Sequence, residues 1–275
     1  MTHLLRVEIL KLSRRPRTYL GYAGILLLLV PMLLGLLYGQ PDRHLRHEIG
    51  PEFHVVGTFV NALFMARRMM EPCLWFFLPL FIAMVAGDLV AGEAAEGTLR
   101  ALLVRPVRRV PVLLAKFTVA VLHATALTYF LGLSALGLGA LFFGWGDLIL
   151  IEHGIYVLGS GEALARLAAA YTAAIPGMVV VAALALFLSV LVDNSNGAII
   201  ATMMLLFVSF TLGGLPYFEA IQPYLFTTHM GVWSSLFEDP IPWSEIARSM
   251  AWLAAYCIAF VGAAALVFSR KDILS

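Results

Sequence analysis

Charged residues are scarce in this chain: Asp, Glu, Lys and Arg make up 13% of its 275 residues, whereas soluble domains carry about 25%. Hydrophobic residues reach 61%, and the mean hydropathy is +0.90. Such a chain cannot cover a water-facing surface, which excludes a soluble globular domain and predicts an integral membrane protein. The formal net charge of +1 gives no sign of a nucleic-acid partner, because nucleic-acid-binding proteins carry a strongly basic face.

A nucleotide-binding loop and a catalytic pair are also missing. No Gly-x-x-x-x-Gly-Lys-Ser/Thr motif occurs, so the chain cannot cradle nucleotide phosphates by itself. Ser160, the nearest candidate nucleophile for intramembrane proteolysis, has neither a nucleophile-elbow context nor an activating histidine. We therefore predict that the chain is not an enzyme and binds no cofactor of its own, and that any ATP is hydrolysed by a partner.

Charges are absent from the middle of the long apolar stretches. Asp88 and Lys116 lie toward the ends of these stretches, and only His123 sits further in. Ion-coupled carriers place ionisable groups near the membrane midplane, so this pattern argues against a secondary transporter. We expect His123 to bond a neighbouring helix. Cys73 and Cys257 fall at unrelated positions in apolar stretches, which favours two buried thiols over a disulfide or a metal pair.

Three histidines lie near acidic residues in one polar stretch, namely His44, His47 and His54. They offer ligand atoms for a metal ion, but their spacing is not diagnostic of a metal site. We expect a polar loop without metal there, and a metal site remains the alternative.

Six stretches are long enough to cross a bilayer, whose core of about 30 Å needs roughly 20 helical residues. The chain must turn at Asp193 and Asn194, since one helix through the fourth and fifth stretches would be about 75 Å long. The predicted fold is all-α, a single polytopic transmembrane domain over residues 1–275. The predicted spans are 18–40, 72–92, 112–143, 167–192, 197–217 and 247–269.

The distribution of basic residues predicts the orientation. Twelve of the 18 Lys and Arg residues flank the spans on one side and six on the other. Basic flanks stay in the cytoplasm, and six crossings return the chain to its starting side, so both termini are predicted to be cytoplasmic.

Four segments outside the spans have distinct patterns. Residues 1–17 predict an interfacial helix, with Leu5, Ile9 and Leu12 on one face and Lys11, Arg14 and Arg15 on the other, turned toward anionic headgroups. Residues 93–106 predict a short amphipathic surface helix, and a plain solvated connector is the alternative. Residues 149–158 fit either a short helix or a hairpin. Residues 219–246, rich in proline and aromatic residues, predict an outer re-entrant segment.

The run Glu93-x-x-x-Gly97-Thr98-Leu99-x-x-Leu102-Leu103-x-x-Pro106-x-x-Arg109 resembles the coupling segment of type-2 ABC transporter permeases. This resemblance implies that a cytoplasmic P-loop ATPase dimer, which binds ATP and Mg, docks on the segment between spans two and three. It also implies that two copies of the chain, or two homologous permeases, form the pathway.

The resemblance assigns roles to single residues. Glu93 and Thr98 would be polar docking contacts, with Glu96 a further acid beside them, and Gly97 would permit close approach. The leucines would insert into a groove of the ATPase, and Pro106 and Arg109 would start the third span. A second, smaller contact would form around Asp193 and Asn194. The three leucines are Leu99, Leu102 and Leu103.

The function implied by the resemblance is that of a permease subunit in the plasma (inner) membrane of a prokaryote, exporting an amphipathic or lipid-like substrate. One alternative within the family is a role in maturation of a periplasmic metalloenzyme or in signal transmission, with a periplasmic partner bound to residues 219–248. An alternative of another class is a membrane scaffold that transports nothing.

Overall fold

A computed structural model describes residues 2–39, 60–97, 109–151 and 155–270. The protein is an all-α polytopic membrane protein, and six helices in the described part are long and apolar enough to cross a membrane, as predicted. The helices of the described part are α1 (Thr2–Arg14), α2 (Pro16–Tyr38), α3 (Ala62–Ala86), α4 (Asp88–Ala95), α5 (Arg109–Phe143), α6 (Ser160–Leu191), α7 (Ser195–Gly214), α8 (Phe226–Met230) and α9 (Trp243–Arg270).

The observed helices differ from the predicted spans mainly where they begin. Helix α3 starts at Ala62 instead of residue 72, and α6 starts at Ser160 instead of residue 167. The predicted starts followed the nearest charged residue, but a helix can carry charges such as Arg67 in the turns before it enters the apolar layer. Asn194 lies at the expected turn and caps α7 by accepting a hydrogen bond from Gly197 N.

Helix α6 is the centre of the bundle. Of its most apolar 18-residue window, 67% is buried, against 17% for α2 and for α9. It packs against α3, α5, α7 and α9. Helices α3 and α5 approach closely at Gly139, where an added Cβ would lie 2.7 Å from Ala62 Cα. Helices α2 and α9 lie at the outside of the bundle, and much of their apolar surface is exposed.

Helix α3 is irregular along its length. Residues Cys73–Phe77 form a π-helical turn, in which Leu78 N donates to Cys73 O. Pro72 and Pro79 flank this turn, and neither has an N–H for a regular helical bond. The helix ends at Ala86, and α4 begins after Gly87.

Two structures cap one end of the bundle. Strands β1 (Leu148–Ile151) and β2 (Ile155–Leu158) form an antiparallel hairpin, which answers the question left open between helix and hairpin. Residues 216–237 form short 3-10 helices and α8. Arg67 of α3 lies over the rings of Trp233 (4.9 Å) and Phe237 (4.7 Å), which ties this segment to the bundle. The re-entrant position of residues 219–246 stays a prediction.

The contacts define two ends of the bundle. At one, the α1 end, Lys116 contacts Glu8, and Arg109 Nη1 donates to Ser269 O (3.3 Å), so α1, the start of α5 and the end of α9 lie together. At the other, the hairpin end, Ala62 N donates to Gly144 O (3.1 Å). The first and last helices of the described chain thus meet the same end, in keeping with six crossings.

A buried charge cluster next to the predicted coupling segment

Seven charged side chains gather at the α1 end, where α1, α2, α4 and α5 meet. We call them the charge cluster. All of them are buried or half-buried, although the helices around them are apolar. The cluster consists of Glu8, Lys11, Arg15, Arg17, Asp88, Glu93 and Lys116.

Four of these groups form a closed ring in which each lysine contacts both glutamates. Lys116 Nζ lies 3.1 Å from Glu8 Oε2 and 2.7 Å from Glu93 Oε2. Lys11 Nζ lies 2.9 Å from Glu93 Oε1 and 3.3 Å from Glu8 Oε1. Two positive and two negative charges cancel, which is the arrangement that makes buried ions tolerable. We call this set the four-charge ring.

The ring shifts the pKa of its members outside the spans. Burial by itself would raise the pKa of Glu93, but the charges and hydrogen bonds of Lys116 and Lys11 outweigh it and lower that pKa. Burial would lower the pKa of Lys11, but the hydrogen bond and charge of Glu93, together with Glu8, raise it. Both groups are therefore held in their charged forms at neutral pH.

Asp88 is the centre of the second part of the cluster. Its carboxylate accepts hydrogen bonds from Arg15 and from Arg17 Nη1 (2.7 Å), and it lies in the first turn of α4, where the helix dipole favours an anion. Arg17 Nη1 also donates to Ser195 Oγ (2.9 Å) at the start of α7. A Cβ on Gly92 would lie 2.3 Å from Asp88 Oδ1, so the missing side chain there makes room for the carboxylate.

The break at Gly87 is bonded to the central helix. The fully buried Ser189 of α6 donates from Oγ to Gly87 O (2.7 Å) and accepts from Ala91 N (2.9 Å) and Val90 N (3.2 Å). Backbone groups freed by a broken helix must find such partners in an apolar environment. Helix α4 is thus fixed to α6 by its backbone and to α1 and α5 by its charges.

The predicted coupling residues that the structure describes differ in how far they are buried. Glu93 was expected to contact the ATPase. It is only 3% exposed, and its two carboxylate oxygens contact Lys11 and Lys116 inside the ring. Glu96 is exposed, and Gly97 ends α4 with φ of +71°, which glycine adopts freely. The first residues of the helix predicted over 93–106 belong to α4, which ends at Ala95, and the part of that prediction beyond Gly97 lies outside the described residues. Residues Thr98, Leu99, Leu102, Leu103 and Pro106 lie outside the described part of the chain.

The remaining predicted residues lie at helix ends. Arg109 is the first described residue of α5, and its guanidinium donates to Phe268 O (3.5 Å) and Ser269 O (3.3 Å) in the last described turn of α9. Asp193 and Asn194 are exposed in the turn between α6 and α7. The histidines His44, His47 and His54 lie outside the described residues, so the metal question at that segment is unchanged.

Sequence reasoning did not find the cluster as a unit. Glu8 and Lys116 are 108 positions apart, and no short pattern joins them. One signal was present: Asp88 and Lys116 each interrupt an otherwise uncharged stretch. A charge that enters an apolar layer needs a partner, so these two positions were the places to look for one.

An apolar groove lies between α3 and α7, with a volume of about 590 Å³. Its walls carry large aromatic and sulfur-containing side chains, several of them strongly exposed. The residues that shape it include Trp75, Phe76, Met203, Met204, Phe207 and Met230. Such a surface accepts an acyl chain or another apolar group.

Comparison with known proteins gives a family. The model of the family described as "Protein of unknown function (DUF2705)" matches residues 51–274. The chain is also 28% identical over 203 residues to the "Uncharacterized protein YhcI" of Bacillus subtilis (strain 168). That match covers 70% of this chain and 64% of the relative, so the chain spans less than two thirds of the relative's length. Because the family model matches most of the sequence, the chain belongs to the DUF2705 family.

Proposed function

We propose that the protein is the permease subunit of an ATP-driven transporter, which moves an amphipathic or lipid-like substrate out of the cytoplasm of a prokaryote. The observation that carries the proposal is the attachment of α4. This helix, which carries the first residue of the predicted coupling motif, is bonded to α1 and α5 through the four-charge ring and to α6 through Ser189. A displacement applied just beyond α4 would therefore reach several transmembrane helices at once.

The two expected docking sites are mechanically connected. Glu96 and Gly97 lie in the motif directly after α4, and the turn at Asp193 precedes α7. Arg17 joins them, because its guanidinium bonds both Asp88 at the start of α4 and Ser195 at the start of α7. A partner bound across both sites would act on one connected unit.

The mechanism follows from this connection. The partner ATPase dimer would hold ATP and Mg and close when ATP binds, while this chain has no nucleotide motif. Closure would carry α4 and the α6–α7 turn with it, and the ring would transmit the movement to α1 and α5. Two six-helix subunits, either two copies or two homologous chains, would thereby shift between two rigid-body arrangements, driven by different contacts in each.

The groove between α3 and α7 supports the class of cargo. Its lining is almost wholly apolar, and its volume of about 590 Å³ is within the range of small-molecule sites. A polar solute would leave its hydrogen-bonding groups unsatisfied there, whereas an acyl chain would not. The Bacillus relative favours a bacterial plasma membrane as the location.

The test is co-purification of the permease with an ATPase. Leu99→Asp with Leu102→Asp should abolish recovery of a P-loop ATPase with the detergent-solubilised protein, because charged side chains cannot enter an apolar groove. Leu99→Met with Leu102→Met keeps the segment apolar and should retain the complex. Membrane insertion of all variants is checked by fractionation. An equal yield of ATPase with the aspartate variant would contradict the proposal, and absence of any ATPase would favour a scaffold.

A further inference from the structure

The exposed face of helix α1 differs from the basic face that the sequence predicted to meet the headgroups. Its exposed side chains recur at helical spacing, while the ring members Glu8 and Lys11 occupy the opposite face. Ile9 is 41% exposed and Leu10 is 51% exposed, so the outer face is apolar in the middle and basic at both ends. The exposed residues are Arg6, Ile9, Leu10, Ser13 and Arg14.

This face continues into the lipid-facing surface of the first span. Tyr19 of α2 is 58% exposed, and its hydroxyl donates to Ser13 O (2.9 Å) at the end of α1. Leu20 beside it is also exposed. A tyrosine with an apolar ring and a bonded hydroxyl at this position is typical of the membrane-water boundary. The outer face of α1 and the outer face of α2 therefore form one surface.

The two terminal arginines differ from the other basic residues of α1. Lys11 and Arg15 are paired with Glu93 and Asp88 inside the protein. Arg6 and Arg14 are exposed, and no ion pair to either occurs within the described ranges. They lie eight positions apart, which is about 12 Å along the helix, with the apolar pair between them.

We infer that this face of α1 lies in the headgroup layer of the adjoining leaflet and binds anionic phospholipids. Ile9 and Leu10 enter the boundary of the acyl chains, as an interfacial helix requires. Arg6 and Arg14 bind lipid phosphates, for which the planar guanidinium offers paired donors. A zwitterionic bilayer supplies the apolar contact but not the net negative charge, so anionic lipid is the preferred occupant.

The test uses the full chain in lipid vesicles, without any ATPase. With Cys73→Ala and Cys257→Ala as background, Ser13→Cys is labelled with an environment-sensitive fluorophore. The protein is reconstituted in phosphatidylcholine alone or mixed with phosphatidylglycerol. We expect the emission to lie further to the blue with phosphatidylglycerol than in phosphatidylcholine alone, and high salt to reverse part of that difference. Ile9→Cys gives a second labelling position if the first variant fails to insert.

Charge variants give the decisive comparison. Each arginine near an anionic surface changes the affinity for anionic lipid by about fivefold. Arg6→Gln with Arg14→Gln should therefore lower the affinity of this face for anionic lipid by more than about tenfold. Arg68→Gln with Arg248→Gln removes the same charge from exposed positions at the hairpin end and should change nothing. Equal emission in the two vesicle types, or an unchanged Arg6 and Arg14 double variant, overturns the inference. Because the vesicles contain no ATPase, failure here leaves the transport proposal standing.

Discussion

Lys116 has no exposed surface, although it lies in an apolar transmembrane helix. Removing an ammonium group from water costs several kcal/mol even after relaxation, and only close counter-charges offset this. Glu8 and Glu93 supply two, at 3.1 and 2.7 Å. Neither glutamate is a neighbour of Lys116 in sequence, so the ring exists only when α1, α4 and α5 are packed together. Each of its members therefore depends on the position of three helices.

Replacing Glu93 should show how much the bundle depends on this ring. Glu93→Gln leaves the buried Lys116 and Lys11 with only Glu8, and we expect a loss of about 3 kcal/mol in stability, seen as a lower Tm of the detergent-solubilised protein. Glu96→Gln is the matched control, because Glu96 is exposed three positions further on and should change stability by less than about 0.5 kcal/mol. Equal Tm values for the two variants would show that the ring does not stabilise the fold.

The pKa of Glu93 predicts how this stabilisation varies with pH. Since that pKa is lowered in the folded protein, the contribution is complete above the ordinary glutamate pKa of about 4.3 and is lost as the pH falls through the lower folded value. The pKa of Lys11 is raised, so its contribution is complete below about 10.4 and is lost only above that. We expect the Tm difference between wild type and Glu93→Gln to be constant at neutral pH and to vanish in strong acid. A difference that already disappears near pH 6 would contradict the pairing.

At the scale of whole helices, the close approach of α3 and α5 depends on a single glycine. A Cβ at Gly139 would lie 2.7 Å from Ala62 Cα and 3.2 Å from Ala62 O, and backbone atoms cannot turn aside as a side chain can. Gly139→Ala should therefore destabilise the protein by about 1–3 kcal/mol. Gly137→Ala, on the same helix with nothing within 4 Å of its Cβ, should be neutral or slightly stabilising, because alanine favours the helix. Thermal unfolding of the two variants in parallel makes the comparison. Equal changes in Tm for the two variants would show that helix propensity, and not the contact with Ala62, determines the effect.

Helices and their contacts were not equally predictable from sequence. The six spans are visible as uncharged runs because the bilayer sets a minimum length that few other structures need. Helices α3 and α6 begin before the predicted spans because helical hydrogen bonding continues beyond the apolar layer. Glu93 was expected on a docking surface, since the motif gives residue order and not the direction of a side chain. Its burial depends on Lys11 and Lys116, whose distance from it follows only from the packed bundle.

For the molecule as a whole, the contacts between helices fix which segments share an end of the bundle. Glu8, Lys116 and Arg109 bring α1, α5 and the end of α9 together, while the hairpin of β1 and β2 lies at the opposite end. The orientation then follows from the basic residues: of the Lys and Arg residues that the structure describes, eight lie at the α1 end and four at the hairpin end. Because positive flanks are retained in the cytoplasm, α1 and α4 should lie inside the cell.

Labelling of intact cells tests this orientation. In a background with Cys73→Ala and Cys257→Ala, a membrane-impermeant thiol reagent should modify Tyr156→Cys, which lies exposed in the hairpin, and should leave Ser13→Cys unmodified. A permeant reagent should modify both, which shows that both thiols are reactive. An ATPase that uses cellular ATP can reach α4 only from the cytoplasm, so labelling of Ser13→Cys from outside would reverse the topology and remove the basis for the transporter. Because the hairpin and α1 lie at opposite ends, the two positions must give opposite results in either orientation, and equal labelling would instead contradict the fold.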